Sequence, residues 1–237
     1  MPATQGGPSP HRWNQIKRLP LKPAIQTLDQ YDQATLFGAL DALAYLRTIE
    51  PASALTVAEI QQVHYLVFKG VHPWAGQFRS MGQMATIAGF PAADPDRIVR
   101  ELELALVQMR ELLETGRAAG DPQLMLAALG FMHVRFERVH PFLDGNGRSG
   151  RAILAVQIEE TFGILPRLTD QPGYREAMLV SAGRDLAPLL NYLGASVGLP
   201  NVAGVWHPPF KISPRFLEEI AVSPTFNEDL AWSRTGS

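Results

Sequence analysis

A base, an acid and two cations fall in one short run, His140-Pro141-Phe142-Leu143-Asp144-Gly145-Asn146-Gly147-Arg148-Ser149-Gly150-Arg151. That combination suits a nucleotide polyphosphate. Unpaired N–H groups at a helix N-terminus, helped by the helix dipole, hold phosphate well, and Gly145, Asn146 and Gly147 sit where such a site needs them. Glycine permits positive φ and a close main-chain approach, so the loop can form a concave nest of donors, with the Asn146 side chain adding one toward an α-phosphate. Arg148 and Arg151, spaced to share one face at the start of the next helix, are expected to clamp the distal phosphates by charge-assisted bonds. Asp144 offers a hard oxygen ligand beside them, which suits Mg²⁺ bridging two phosphates with waters completing its shell. His140 is the nearby group whose ordinary pKa, about 6.5, lets it accept a proton at neutral pH, and it is assigned as general base.

Such chemistry needs rigid elements on both sides. Met125, Leu129, Met132, Phe136 and Val139 recur at helical spacing before the run, and Ile153, Leu154, Ile158 and Phe162 repeat that spacing after it, so the run bridges two buried helices. Farther upstream, Leu36, Leu40, Leu43 and Leu46 recur as in a scaffold helix between Asp29 and Ile49, and Thr56 with Glu59 predicts a capping box for a helix running to Lys69. Residues 77–93 break this pattern with Gly82, Gly89, Pro91 and a β-compatible stretch from Met84 to Ile87, which predicts a short hairpin. Helical periodicity returns from Pro95 to Thr115. Asp121-Pro122 opens the central helix, and two more helices are predicted near 172–182 and 184–197. The expected fold class is mainly α. Residues 1–23 read as a flexible arm, extended from Trp13 to Pro23; residues 24–198 as one compact domain; residues 199–237 as an extension with no clear period.

A chain of 237 residues, 46% hydrophobic, can bury a full core. Its 21 basic and 23 acidic residues give a net charge of −2, so no broad footprint for nucleic acid exists and any anion site must be local. The absence of cysteine excludes disulfides and thiolate metal sites. No apolar run reaches the ~18 residues that span a bilayer, so no membrane partner is expected, and the first ten residues do not resemble a secretory signal, which leads to an expectation of cytoplasmic synthesis. His64 and His72 lack ligand-spaced partners. His133 reads as a hydrogen-bonded helix residue, and Arg79 as a cation that either reaches phosphate or forms a salt bridge in the hairpin.

The run from His140 to Arg151 fits the pattern HPFxxGNGRxxR at every fixed position and so resembles the signature of Fic proteins. His72-Pro73-Trp74-Ala75-Gly76-Gln77-Phe78-Arg79 is similar to that family's approach to its flap hairpin, and the resemblance covers roughly residues 25 to 195. It implies a Fic-fold helical bundle with a short β-hairpin flap and protein adenylyltransferase activity. ATP would be the substrate and Mg²⁺ the cofactor on Asp144, with phosphates on Gly145, Asn146, Gly147, Arg148 and Arg151. His140 would deprotonate a Tyr, Thr or Ser hydroxyl of a target protein, which attacks the α-phosphate in line as pyrophosphate leaves. Met84, Ala85, Thr86, Ile87 and Ala88 match the flap positions that pair with an extended target segment. Tyr174, Arg175 and Gly183 fall where the family closes over the base. Transfer of UMP, GMP, phosphocholine or phosphate stays open, as does a catalytically silent nucleotide-binding module. Doc-like kinases of the family carry Lys at the position of Gly147, which favours nucleotide transfer here. Many Fic proteins also carry an inhibitory helix in which Ser or Thr is followed, four residues on, by Glu and then Gly or Asn. That Glu pairs with the second motif arginine. No such pattern occurs in this sequence, so the resemblance implies a toxin or effector restrained at Arg151 by a small antitoxin in trans, cytoplasmic or delivered into a host or recipient cell.

Overall fold

The computed structural model describes residues 10–87, 90–168, 172–183, 185–200 and 202. Ala88 of the expected docking edge and residues 203–237 of the expected extension lie outside them. Among the described residues the chain is a helical bundle with one two-stranded hairpin. The arm is not extended throughout: Pro10–Ile16 forms a helix, α1. Proline opens it without losing a helical bond, Arg12 grips both oxygens of Asp32 at 2.9 and 2.6 Å, and Ile16 is buried. Its Gly- and Pro-rich surroundings hid a helix that is held by tertiary contacts.

Helix α2 (Leu28–Leu46) opens with a capping box in which Thr27 and Gln30 satisfy each other's backbone N–H, and α3 (Val57–Phe68) opens with the anticipated box of Thr56 and Glu59. The leucine stripe of α2 does not all face inward. Leu36 and Leu40 are 60% and 55% exposed, and the buried face is Leu28, Tyr31, Thr35, Gly38, Ala42 and Leu46. Close packing sets this rotation, since a Cβ at Gly38 would lie 2.4 Å from the Val67 carbonyl oxygen of α3.

Helix α4 (Ile98–Ala119) and the central helix α5 (Pro122–Val139) pack extensively and share the buried pair Arg135–Glu101 at 2.9 Å. Asp121 caps α5 through the amides of Gln123 and Leu124 at 3.0 and 2.9 Å. Because α5 is covered by α4, by α6 (Asn146–Phe162), by α7 (Pro172–Gly183) and by α8 (Ala187–Val197), it is buried nearly all round from Leu126 to Phe136. Strands β1 (Thr86–Ile87) and β2 (Phe90–Pro91) pair antiparallel, Thr86 opposite Pro91 and Ile87 opposite Phe90. The turn between α5 and α6 therefore leaves the most buried helix of the bundle, with the hairpin beside it.

Candidate active site

The turn holds its shape through bonds to its own backbone. Asn146 accepts from the Phe142 N–H at 2.9 Å and donates to the Phe142 carbonyl at 2.8 Å, and it is 1% exposed. The Asn146 amide expected to donate to phosphate thus also closes the loop, through its oxygen and one of its two N–H groups. Phe142, fully buried, stacks on the His64 ring at 3.7 Å. His64 accepts from the Gly76 N–H through Nδ1 at 2.9 Å, so its Nε2 carries the proton and donates to the Asp144 carbonyl at 3.0 Å. Burial pushes the His64 pKa down to about 4, which keeps this neutral tautomer.

Gly145 adopts φ +83, and a Cβ there would lie 2.2 Å from the Phe68 ring, so both its conformation and its space demand glycine. Gly147 is less constrained. Its backbone is helical, without a positive φ, but a Cβ would come within 3.0 Å of Arg151 Nη1. The Gly145 amide donates to Asp144 Oδ1 at 2.7 Å, while those of Arg148 and Ser149 reach the Gly145 carbonyl. The amides of Asn146 and Gly147 open α6 with no preceding helical turn to bond, and they form the donor end of the nest.

His140 ends α5 in a left-handed conformation, φ 48 and ψ 58, with its amide on the Phe136 carbonyl. Its Nδ1 lies 3.2 Å from the Glu137 carbonyl, an acceptor, so Nδ1 carries the proton and Nε2 presents a lone pair. Burial lowers the His140 pKa below the usual imidazole value and the charge of Arg79 adds to this, against opposing contributions from the Glu137 carbonyl and Asp144. The ring is a base at neutral pH.

Asp144 and Arg148 meet a residue that motif spacing did not reveal. Tyr31 of α2, fully buried, donates to Asp144 Oδ2 at 3.3 Å and accepts from Arg148 Nη2 at 2.8 Å. Its pKa is pushed up to about 12, chiefly by burial, which keeps the hydroxyl protonated. His72 stands behind it, with Nε2 3.4 Å from the Tyr31 oxygen and Nδ1 2.9 Å from the Pro20 carbonyl. Arg148 also lies over the Phe68 ring at 4.5 Å. The two motif arginines thus diverge: Arg148 leans toward α2 and α3, whereas Arg151 sits 5.5 Å from the Tyr174 ring of α7. They do not present one shared face.

The donor set around Asp144 fits magnesium. Its side chain is 36% exposed, and its Oδ2 is engaged only at 3.3 and 3.4 Å. Among the described residues no cluster of three His, Cys, Asp or Glu side chains could cage a metal by itself. One carboxylate shared with substrate phosphates and water is how Mg²⁺ is commonly held.

Beyond Gly147 opens a cleft of about 150 Å³, lined on its polar side by Glu137, Arg151, Tyr174 and Arg175 and on its apolar side by Ile87, Met178 and Leu179. Tyr174 is hydrogen-bonded to Nε2 of His133, whose pKa burial and then the charge of Arg151 push down to about 3. His133 is the neutral helix residue its position suggested, and it anchors α7. Of the expected docking edge, Met84 is 71% exposed and Ile87 turns into the cleft. Arg79 has neither expected role: its guanidinium, buried in the hairpin base, bonds to main-chain carbonyls. Tyr31 is the residue that spacing missed, and the bonding roles of His64, His72 and Arg79 were not foreseen. A buried polar residue on an otherwise apolar helix face was the available signal for Tyr31 and His64.

Residues 54–158 match the Fic/DOC family. Over 181 residues the chain is 27% identical to protein adenylyltransferase Fic of Nematostella vectensis, covering 73% of this chain and 40% of that protein. The chain thus spans less than half the length of that relative. The BepC protein of Bartonella tribocorum, a VirB-translocated effector solved with AMPPNP, superposes with a TM-score of 0.58 at 17% identity, covering 75% of this chain and 91% of that one. Fic-1 of Caenorhabditis elegans gives 0.59 at 18% identity, over 94% and 62% of the two chains. These structural likenesses establish the mainly helical fold.

Proposed function

From the premise that this chain carries a Fic domain, over residues 54–158 and in a Fic-type fold, we propose that it is a protein adenylyltransferase transferring AMP from ATP to a Tyr, Thr or Ser hydroxyl of a target protein. The observation that carries this reading is the free Nε2 of His140, fixed by its Nδ1 bond, on the turn that leads into the donor end of α6. His140 Nε2 takes the hydroxyl proton, the oxygen bonds to the α-phosphorus, and the bond to pyrophosphate breaks. The amides of Asn146 and Gly147 face the phosphates, and Arg148 and Arg151 offset the charge on the departing pyrophosphate from two sides. Asp144 would hold Mg²⁺, which neutralises phosphate charge when bound. The outer edge of β1 pairs with the target segment. Phosphate transfer is disfavoured by Gly147, which leaves open the part of the anion nest that the lysine of Doc-like kinases would fill.

The target, the cell that contains it and the control of the enzyme follow from the same reading. A small separate protein supplies a Glu to Arg151, and the chain acts as a toxin at home or as a translocated effector. Incubation with ATP labelled at the α- or γ-position decides the chemistry: α-label on a lysate protein is expected, and γ-label alone would replace this reading with a kinase. CTP, GTP and UTP in parallel reveal nucleotide preference. Expression with and without candidate neighbours tests restraint: transfer is expected to rise when the restraining partner is absent.

A further inference from the structure

Arg79 is 3% exposed, and the bonds of its guanidinium end on four main-chain carbonyls. Two belong to the catalytic turn: Nε reaches His140 at 2.7 Å and Nη2 reaches Val139 at 3.2 Å. Two belong to the ends of the flap: Nη1 reaches Gln83 at 2.7 Å and Nη2 reaches Ala93 at 2.8 Å. The Arg79 amide adds a bond to the Pro141 carbonyl at 2.8 Å. His140 is the one described non-glycine residue with positive φ, a conformation that persists only where its surroundings over-determine it. The guanidinium bonds to the carbonyl of that residue and, on its other nitrogens, to the hairpin that would register an acceptor.

Resting on the transferase reading above, we propose that Arg79 is a positioning residue: its guanidinium sets the separation between the flap edge and the imidazole of His140, so that the paired target hydroxyl arrives within reach of Nε2. A planar fork of five donors can fix such an angle, whereas lysine, a point charge, cannot. Arg79 touches neither phosphate nor acceptor on this account, so nucleotide binding is independent of it.

The test compares Arg79→Lys and Arg79→Met with the wild-type chain. It measures kcat, target KM and ATP affinity, together with hydrogen exchange at the Ala92 amide, which bonds to Ala85, and the ¹⁵N signals of the His140 imidazole. A displacement of ~1 Å between reacting groups lowers rate by about 10². Both variants are therefore expected to lose about that factor in kcat and to raise target KM, with ATP affinity changed by less than about twofold. Ala92 exchange should rise and the imidazole should lose its single tautomer. Wild-type kcat and KM in Arg79→Met, or an equal loss of ATP affinity, overturns the proposal, as does full rescue by Arg79→Lys. If Arg79→Met does not fold, Arg79→Lys decides by the same measurements. If the wild-type chain transfers no nucleotide, the transferase reading falls. The exchange and imidazole signals still judge the coupling: it stands if both change together and falls if the flap loosens while His140 stays unchanged.

Discussion

The turn from His140 to Gly147 and the flap from Ser80 to Ala93 serve one cleft but are built by opposite means. Every polar atom of the Asn146 amide bonds within the turn, Phe142 is fully buried, and Gly145 is packed on a ring. The flap has strands two residues long, with Met81 and Met84 77% and 71% exposed. Reacting groups must be held to fractions of an ångström, whereas a surface that accepts extended segments by main-chain bonds gains from adaptable side chains such as methionine. On the proposed reaction, the more tightly bonded of the two is the one at which charge would move.

The strongest challenge to that contrast is His140→Ala, expected to lower transfer by ~10²–10⁴ while leaving the ATP dissociation constant nearly unchanged. Retained activity, read by labelled AMP on a target, would place the base elsewhere. A sharper comparison uses one substitution at two glycines of positive φ. Gly145→Ala forces a methyl onto Phe68 and is expected to lower stability by roughly 3 kcal/mol or more, while Gly82→Ala, with nothing within 4 Å, meets only backbone strain of about 1 kcal/mol. Equal urea midpoints for the two variants would erase the difference between turn and flap.

Acid should weaken the helices that support the turn. The folded pKa values of His64 and His133, about 4 and about 3, lie below the unfolded value of 6.5. The unfolded chain therefore binds more protons below pH 6.5, and stability falls as pH drops from there toward 4 and then 3, by at most about 1.4 kcal/mol per pH unit for each histidine. Urea titrations across that range check the slope, which should flatten in His64→Gln. A modest effect on binding is expected of Tyr31→Phe. Loss of one hydroxyl bonded to Asp144 and Arg148 should weaken Mg-ATP binding by about tenfold, near 1.4 kcal/mol, without displacing the acid limb of the rate profile set by His140. Calorimetric titration with Mg-ATP reads the first and initial rates the second.

The helices were legible because periodicity and caps are local. Thr56 with Glu59, Asp121 before Pro122 and the apolar spacing around the motif act within a few residues, and each marks an element that the structure contains. The orientation of α2 was not legible, since Leu36 and Leu40 satisfy helical spacing yet face outward; a glycine contact with α3 outweighed them. Helix α1 escaped because Arg12 and Ile16 depend on partners far along the chain. Around the motif, residue types suggested a chemistry but not the bonding. Asn146 was read as a phosphate donor and also clamps its own loop, and Arg79 was read as a phosphate or hairpin cation and is bonded to backbone.

Local order alone determined that a base, an acid, two arginines and a glycine-bearing turn lie between two helices, since these positions are covalently close and helix periodicity is a short-range property. Only packing decided which way each side chain points. Tyr31 reaches Asp144 across 113 positions and Arg79 reaches His140 across 61, and such contacts form when burial removes water from polar groups and leaves them no other partner. The left-handed His140 and the divergence of Arg148 from Arg151 belong to that second kind of fact. They arise where helices from distant parts of the chain compete for the same few ångströms.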